Sequence, residues 1–259
     1  MQIAVLLKMT FDTEEKIKLT AGKIEEDGVK FIINPYDEYA VEEAIRLRDA
    51  HGGKVTVISV GPERAAEALR TALAMGADEA VRIEPPAGRT ADEAVLAALL
   101  FAQLQADKPD LVLGGFFSID QGGGQVAIRV AARLGIPHVT AITKLEVQGG
   151  GEVAVAERDV EGATETLEVR IPALFTAQQG LNEPRYPSLP GIMKAKKKPF
   201  RVIAADELGL ASTELEAATR TVAVALPPSR QAGKLLQGEL DEQVRQLAEL
   251  LKVHAKLGD

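Results

Sequence analysis

The chain has 259 residues, enough to bury a substantial core as one large α/β domain or one domain with extensions. Apolar residues make up 46% and charged residues 26%, ordinary globular values that exclude general disorder. A net charge of −8 argues against the broad basic footprint of a nucleic-acid binder, and the lack of cysteine excludes disulfides, thiolate catalysis and cysteine-held zinc or iron–sulfur clusters.

In chain order, Ile3–Leu7 reads as a buried first strand. No basic segment precedes it and its apolar run is short, so a signal peptide is not expected, and no apolar stretch nears the roughly 20 residues that span a bilayer. A soluble, cytoplasmic protein without membrane insertion is the expectation. Lys30–Ile33 follows as a second strand, and Asp37–Arg48 as a helix closed by Gly52-Gly53. Val55–Val60 is a β-branched run of the kind buried on both faces of a sheet. Helices are expected over Glu63–Met75, Ala91–Gln105 and Gln125–Leu134, with strands at Ala80–Ile83 and Leu111–Leu113. This alternation implies right-handed crossovers and a parallel sheet. Val139–Val147, Val153–Arg158, Thr166–Ile171 and Ala173–Thr176 add a partly antiparallel section. After Lys198 the pattern weakens: Phe200–Leu226 reads as a mixed polar stretch, and Leu240–Leu251 as an amphipathic helix. This divides the chain into an α/β domain over 1–199 and a C-terminal arm over 200–259, which either wraps a partner or folds back on its own sheet.

In an open parallel sheet, ligands bind beyond the carboxyl ends of the strands. Four stretches fall at such ends: Leu6-Leu7-Lys8, Asn34-Pro35-Tyr36-Asp37, Ser59-Val60-Gly61-Pro62, and the Gly-rich Gly114–Gln125 loop that opens a helix. Asn34 or Asp37 is suited to capping the helix that follows. The Gly-rich loop has neither the GxGxxG nor the GxxxxGK[ST] spacing, yet its backbone amides and helix dipole would favour a phosphate. His51, His138 and His254 have no metal-ligand spacing, and no GxSxG, HExxH or paired-carboxylate signature occurs. A binding module without catalytic or metal residues is the reading from the residues alone.

The segment Leu181–Lys198 stands apart. Three prolines with Arg185 and Tyr186 make a stiff loop, after which Leu189, Ile192 and Met193 form one apolar edge of a short helix beside Lys194, Lys196, Lys197 and Lys198. Two readings remain open: a docking patch, or a helix packed on its own core with a solvated lysine run.

These residues read LNEPRY-x-x-LP-x-IMKAKKK, a long pattern matched at every fixed position, and they resemble the electron transfer flavoprotein β subunit. Supporting matches at Asn34–Ala44, Arg70–Asp78 and Pro227-Pro228 carry the likeness across nearly the whole chain. The resemblance implies an adenine-nucleotide-hydrolase-like, Rossmann-like α/β fold with a mostly parallel sheet, helices on both faces and a partner-wrapping C-terminal arm. It implies a heterodimer with an α subunit that holds most of the redox FAD, and an electron carrier rather than an enzyme. Its partners would be flavin-dependent, acyl-CoA type dehydrogenases, as in fatty acid β-oxidation. A structural AMP would lie among Leu6, Asn34, Pro35, Tyr36, Asp37, Val60, Gly115, Ser118, Asp120, Gly123, Gly124, Gln125 and Val126. The recognition loop would dock dehydrogenases through Leu189, with Pro190, Ile192 and Met193 beside it. Thr13 and Asp159 would lie near the α-subunit flavin. Where many members carry a DDDxNQT run, this chain has Asp120-Gln121-Gly122-Gly123-Gly124-Gln125-Val126. The Gln-Val ending resembles electron-bifurcating members, for which the alternative is a second FAD in the AMP pocket. A non-redox nucleotide-binding sensor or scaffold is the reading from another class.

Overall fold

The structure, a computed structural model, describes residues 1–228, 233 and 235–255, with the side chains of 254 and 255 left aside. The last part of the expected arm and the His254 side chain therefore lie outside the described residues.

Short β-branched and apolar runs with buried faces give the strands. β1 (Gln2–Leu6) pairs in parallel with β6 (Lys54–Val60) on one side and with β8 (Leu111–Gly115) on the other. Outward from β6 come β7 (Glu79–Glu84) and β13 (Phe200–Ala204), both parallel. Outward from β8 come β12 (Ala173–Ala177) and β9 (His138–Gln148), again parallel, then β10 (Val153–Val160) and β11 (Ala163–Arg170) as antiparallel additions. The nine-stranded order is β11-β10-β9-β12-β8-β1-β6-β7-β13. This is the mostly parallel α/β sheet that the alternation predicts, antiparallel extension included.

Helices cover both faces. α1 (Pro35–His51) and α2 (Ala65–Met75) bury Val41, Ile45, Leu69 and Leu73 in one core with Val5, Val57 and Phe175. α3 (Glu93–Asp107) and α4 (Val126–Leu134) bury Leu99, Leu104 and Val130 in the other with Ala4, Ile58 and Leu174. Asp92 caps α3, its carboxylate accepting the N–H groups of Ala94 and Val95 at 3.1 Å.

Two expectations change. Phe31–Ile33 is β5, but it stays out of the main sheet and pairs antiparallel with β2 (Met9–Phe11), and a second small ribbon joins β3 (Leu19–Thr20) to β4 (Lys23–Ile24). The segment between β1 and α1 is thus an excursion at the carboxyl edge. The stretch after Lys198 also begins with a strand: β13 completes the sheet edge, and the 3-10 turns Ala205–Leu208 and Ser212–Leu215 pack Ala205 and Leu215 into the second core. The Thr219 N–H and hydroxyl then donate to Asp92 Oδ2 at 2.8 and 2.9 Å, tying the chain to the start of α3. Beyond that point residues 220–228 are exposed, and α6 (Leu240–Ala255) follows.

Among the described residues, no helix is long and apolar enough to cross a membrane.

Candidate nucleotide-binding cleft and docking loop

The chain moves outward from β1 in one direction through β6 and β7, and in the other through β8 and β12. The two directions part between β1 and β8, the switch point at which open α/β sheets leave a crevice. A cleft of about 810 Å³, open to solvent, lies there.

Ten of the predicted residues meet in its wall: Leu6, Asn34, Asp37, Val60, Gly115, Ser118, Gly123, Gly124, Gln125 and Val126. Three do not. Pro35 is the first residue of α1, where its missing N–H costs nothing. Tyr36 stands behind the wall, its ring 4.9 Å from Phe116 and 4.6 Å from Phe117. Asp120 points instead at Lys8, both carboxylate oxygens 2.7 Å from Nζ.

The wall is held by buried polar side chains that link strand ends far apart in sequence. Asp37 accepts the Lys8 N–H at 2.6 Å, the Gly115 N–H at 2.8 Å and the Asn34 amide at 3.1 Å. Burial pushes its carboxyl up to about 6, while the N–H donors of Lys8, Asn34 and Gly115 act in the opposite direction. Asn34 occupies the N-cap position of α1, but its side chain makes no cap bond. It reaches across to the Gly-rich loop, donating to the Phe117 carbonyl at 2.9 Å and accepting the Ile119 N–H at 3.2 Å. So this asparagine builds the cleft, not the helix end. At Gly115 a Cβ would lie 2.7 Å from Tyr36 Cβ, which explains the glycine.

Sequence reasoning missed several wall residues. Phe116 and Phe117 lie within the Gly-rich loop, and Lys8 within the exit from the first strand, so a signal existed for these. Glu93, Leu96 and Leu100 come from α3, and nothing in the sequence connects them to the cleft. Lys8 is the sole basic residue in the wall among the described residues, and the wall also carries the carboxylates of Asp37 and Glu93. A phosphate would therefore rest chiefly on backbone N–H groups and the amino end of α4.

The expected flavin-proximal pair lies elsewhere. Thr13 is exposed in the turn after β2, and Asp159 is an exposed residue near the end of β10 that accepts the Thr164 hydroxyl at 3.0 Å.

Leu181–Lys198 is anchored before it is exposed. Arg185 forks onto the buried Glu42 of α1 at 2.7 and 2.8 Å, and the Asn182 amide donates to Glu43 at 2.9 Å and to the Tyr39 carbonyl at 3.0 Å. Ser188 caps α5 (Leu189–Ala195) by accepting the Gly191 N–H at 3.1 Å. Lys198 donates to the Leu73 carbonyl at 2.9 Å and also reaches Ala77, closing the carboxyl end of α2 rather than that of α5. Burial lowers its pKa. On this frame Leu189 is 74% and Met193 66% exposed, with Ile192 half-exposed and Pro190 exposed beside them.

A family model described as "Electron transfer flavoprotein domain" matches residues 21–208. The chain is 52% identical to an electron transfer flavoprotein subunit beta from Bacillus subtilis (strain 168), the alignment covering 99% of this chain and 100% of the relative. A protein of the same name from Syntrophomonas wolfei is 41% identical, with 99% and 98% covered. The electron transfer flavoprotein subunit beta of Homo sapiens is 38% identical, with 90% and 91% covered.

Proposed function

This chain belongs to the electron transfer flavoprotein family as a β-type, electron-carrying chain, and from that premise we propose that it binds AMP structurally in the β1–β8 cleft, pairs with an α subunit that holds most of the redox FAD, and docks flavin-dependent dehydrogenases through Leu189. The observation that carries the nucleotide reading is the convergence of ten predicted residues on one crevice at the switch point. Leu6 and Val60 offer an apolar slot for a base, while Gly123, Gly124 and the amino end of α4 offer N–H groups for a single phosphate. No step in this role makes or breaks a covalent bond on the chain's own side chains. Electrons pass between flavins, and the chain helps hold the α-subunit FAD.

The docking reading rests on an apolar edge exposed on a frame of buried polar anchors, since a preorganised patch loses little entropy on binding. Thr13, on an exposed turn, and Asp159, exposed near the end of β10, take the flavin-facing roles, where an α subunit could cover them. The arm after Thr219, including α6, is the α-subunit contact.

A second FAD in the cleft, as in electron bifurcation, is the alternative. The Gln125-Val126 ending and a neighbouring cavity at the same strand ends favour it. One experiment separates the two. The chain is co-expressed with its α subunit, the purified complex is denatured, and the released nucleotides are resolved by chromatography. AMP alongside the α-subunit FAD supports the leading reading, a second FAD supports bifurcation, and a colourless complex removes the redox role in favour of a non-redox nucleotide-binding scaffold.

A further inference from the structure

Beside the cleft lies a second cavity of about 580 Å³ of open space, bounded by the β2–β5 ribbon and the amino end of α2. The two share Lys8 and Val60. The Lys8 ammonium stands where they meet. It bonds Ser118 Oγ at 3.1 Å and Gln121 Oε1 at 3.3 Å, both on the cleft wall, and Asp120 at 2.7 Å on the wall of the second cavity.

The second cavity is equipped for a ligand. Phe11 and Phe31 pack with ring centroids 5.0 Å apart, and the Arg64 guanidinium sits 4.5 Å above Phe31. Thr10 lines the same space and is 1% exposed, and its hydroxyl has no hydrogen-bond partner among the described residues, an arrangement that costs free energy unless something arrives to meet it. An aromatic ring with a polar edge satisfies both the phenylalanines and the hydroxyl.

We propose that the Lys8–Asp120 ion pair sets the length of the nucleotide this chain holds, closing the cleft around a mononucleotide and, when opened, admitting the second aromatic half of a dinucleotide into the adjoining cavity. This rests on the cleft holding a nucleotide phosphate on the Gly-rich loop. With the pair closed, four acceptor atoms hold the ammonium where the two cavities meet, the point a pyrophosphate-linked second ring would have to pass. With the pair open, that junction is clear for the linked second half.

The test uses the αβ complex carrying the natural chain, Lys8→Met or Asp120→Asn. Each is incubated with an equal excess of AMP and FAD, freed of unbound nucleotide by gel filtration, and denatured for chromatography. The natural complex should retain AMP. Lys8→Met, which keeps stem length and loses the charge, should raise the ratio of second FAD to AMP about tenfold, the scale of one charge-assisted bridge. Asp120→Asn should shift it in the same direction, and it carries the comparison should Lys8→Met not assemble. A ratio equal to the natural one in an assembled variant overturns the partition, as does a natural complex already holding a second FAD. A natural complex that releases neither AMP nor a second flavin overturns the nucleotide reading beneath it, a result distinct from AMP retained with an unmoved ratio.

Discussion

A Cβ on Gly115 would lie 2.7 Å from Tyr36 Cβ and 2.9 Å from the Tyr36 carbonyl carbon, and it would also meet the Asp37 carboxylate. Gly115→Ala is therefore expected to push β8 away from α1 and to lose the Gly115 N–H bond to Asp37. The cost should be about 1–3 kcal/mol in urea unfolding, with loss of cleft nucleotide. Gly122 is the control: its φ is +66° but nothing lies within 4 Å of a Cβ, so alanine there meets only backbone strain, about 1 kcal/mol. Equal costs at the two positions would contradict the crowding argument. Asp37 adds a pH dependence. Its folded pKa, about 6, stands above the usual carboxylate value of 3.8, so between those values the folded state holds the proton more tightly. The stability it contributes is present below about pH 4 and is lost as pH rises through 6. Roughly two pK units make this up to about 3 kcal/mol. Asp37→Asn should flatten that part of the curve, as read from urea midpoints at pH 4.5 and 7.5. A variant with the natural slope would show that another group is responsible.

The helix α1 supports both candidate sites, with Asp37 facing the cleft at its amino end and Glu42 and Glu43 receiving the docking loop further along. Removing the Arg185 side chain leaves Glu42 a buried, unpaired carboxylate. Because the arginine is itself 41% exposed, Arg185→Ala should cost about 2 kcal/mol, below the usual figure for a buried pair. It should also loosen the loop. Leu189→Ala removes an exposed side chain and should leave the melting curve unchanged, while weakening dehydrogenase binding by about 2 kcal/mol as an interface anchor does. Dehydrogenase-dependent flavin reduction measures both variants, and unchanged turnover with Leu189→Ala would remove the docking role. The long periodic helices and β-branched strands were legible in the sequence because burial on regular faces writes itself into residue spacing. β13 was not: Phe200–Ala204 is a short edge strand with exposed Arg201 and Val202, so it lacks the two-sided apolar run. The Asn34 side chain was legible as polar at a helix start, but its target, a loop more than eighty residues away, is a tertiary fact. The same holds for Glu93 in the cleft wall and for Lys198, whose carbonyl partners belong to α2 and the turn after it.

The molecule as a whole is a sheet body that closes at Thr219, and among the described residues the chain beyond it carries apolar surface without cover. Along α6, Leu240, Val244, Leu247 and Leu251 recur at i, i+4, i+7 and i+11 and are between 44% and 73% exposed. A 16-residue helix isolated in water is marginal by itself, so the stripe is an unmet packing face. The sequence displayed that amphipathic pattern but left open whether the helix folds back or reaches a partner; here it does not enter either core. As the proposed α-subunit contact, it predicts a separation of two readouts. Leu247→Asp with Leu251→Asp would place unpaired carboxylates in an apolar interface, costing about 3 kcal/mol or more, which is over a hundredfold in Kd. Size-exclusion chromatography of the mixed subunits should show the complex dissociating, while urea unfolding of this chain alone keeps its natural midpoint because neither core contains those leucines. If the variant chain assembles with natural affinity, α6 is not the contact. If its own midpoint falls instead, the stripe packs against the sheet body in solution.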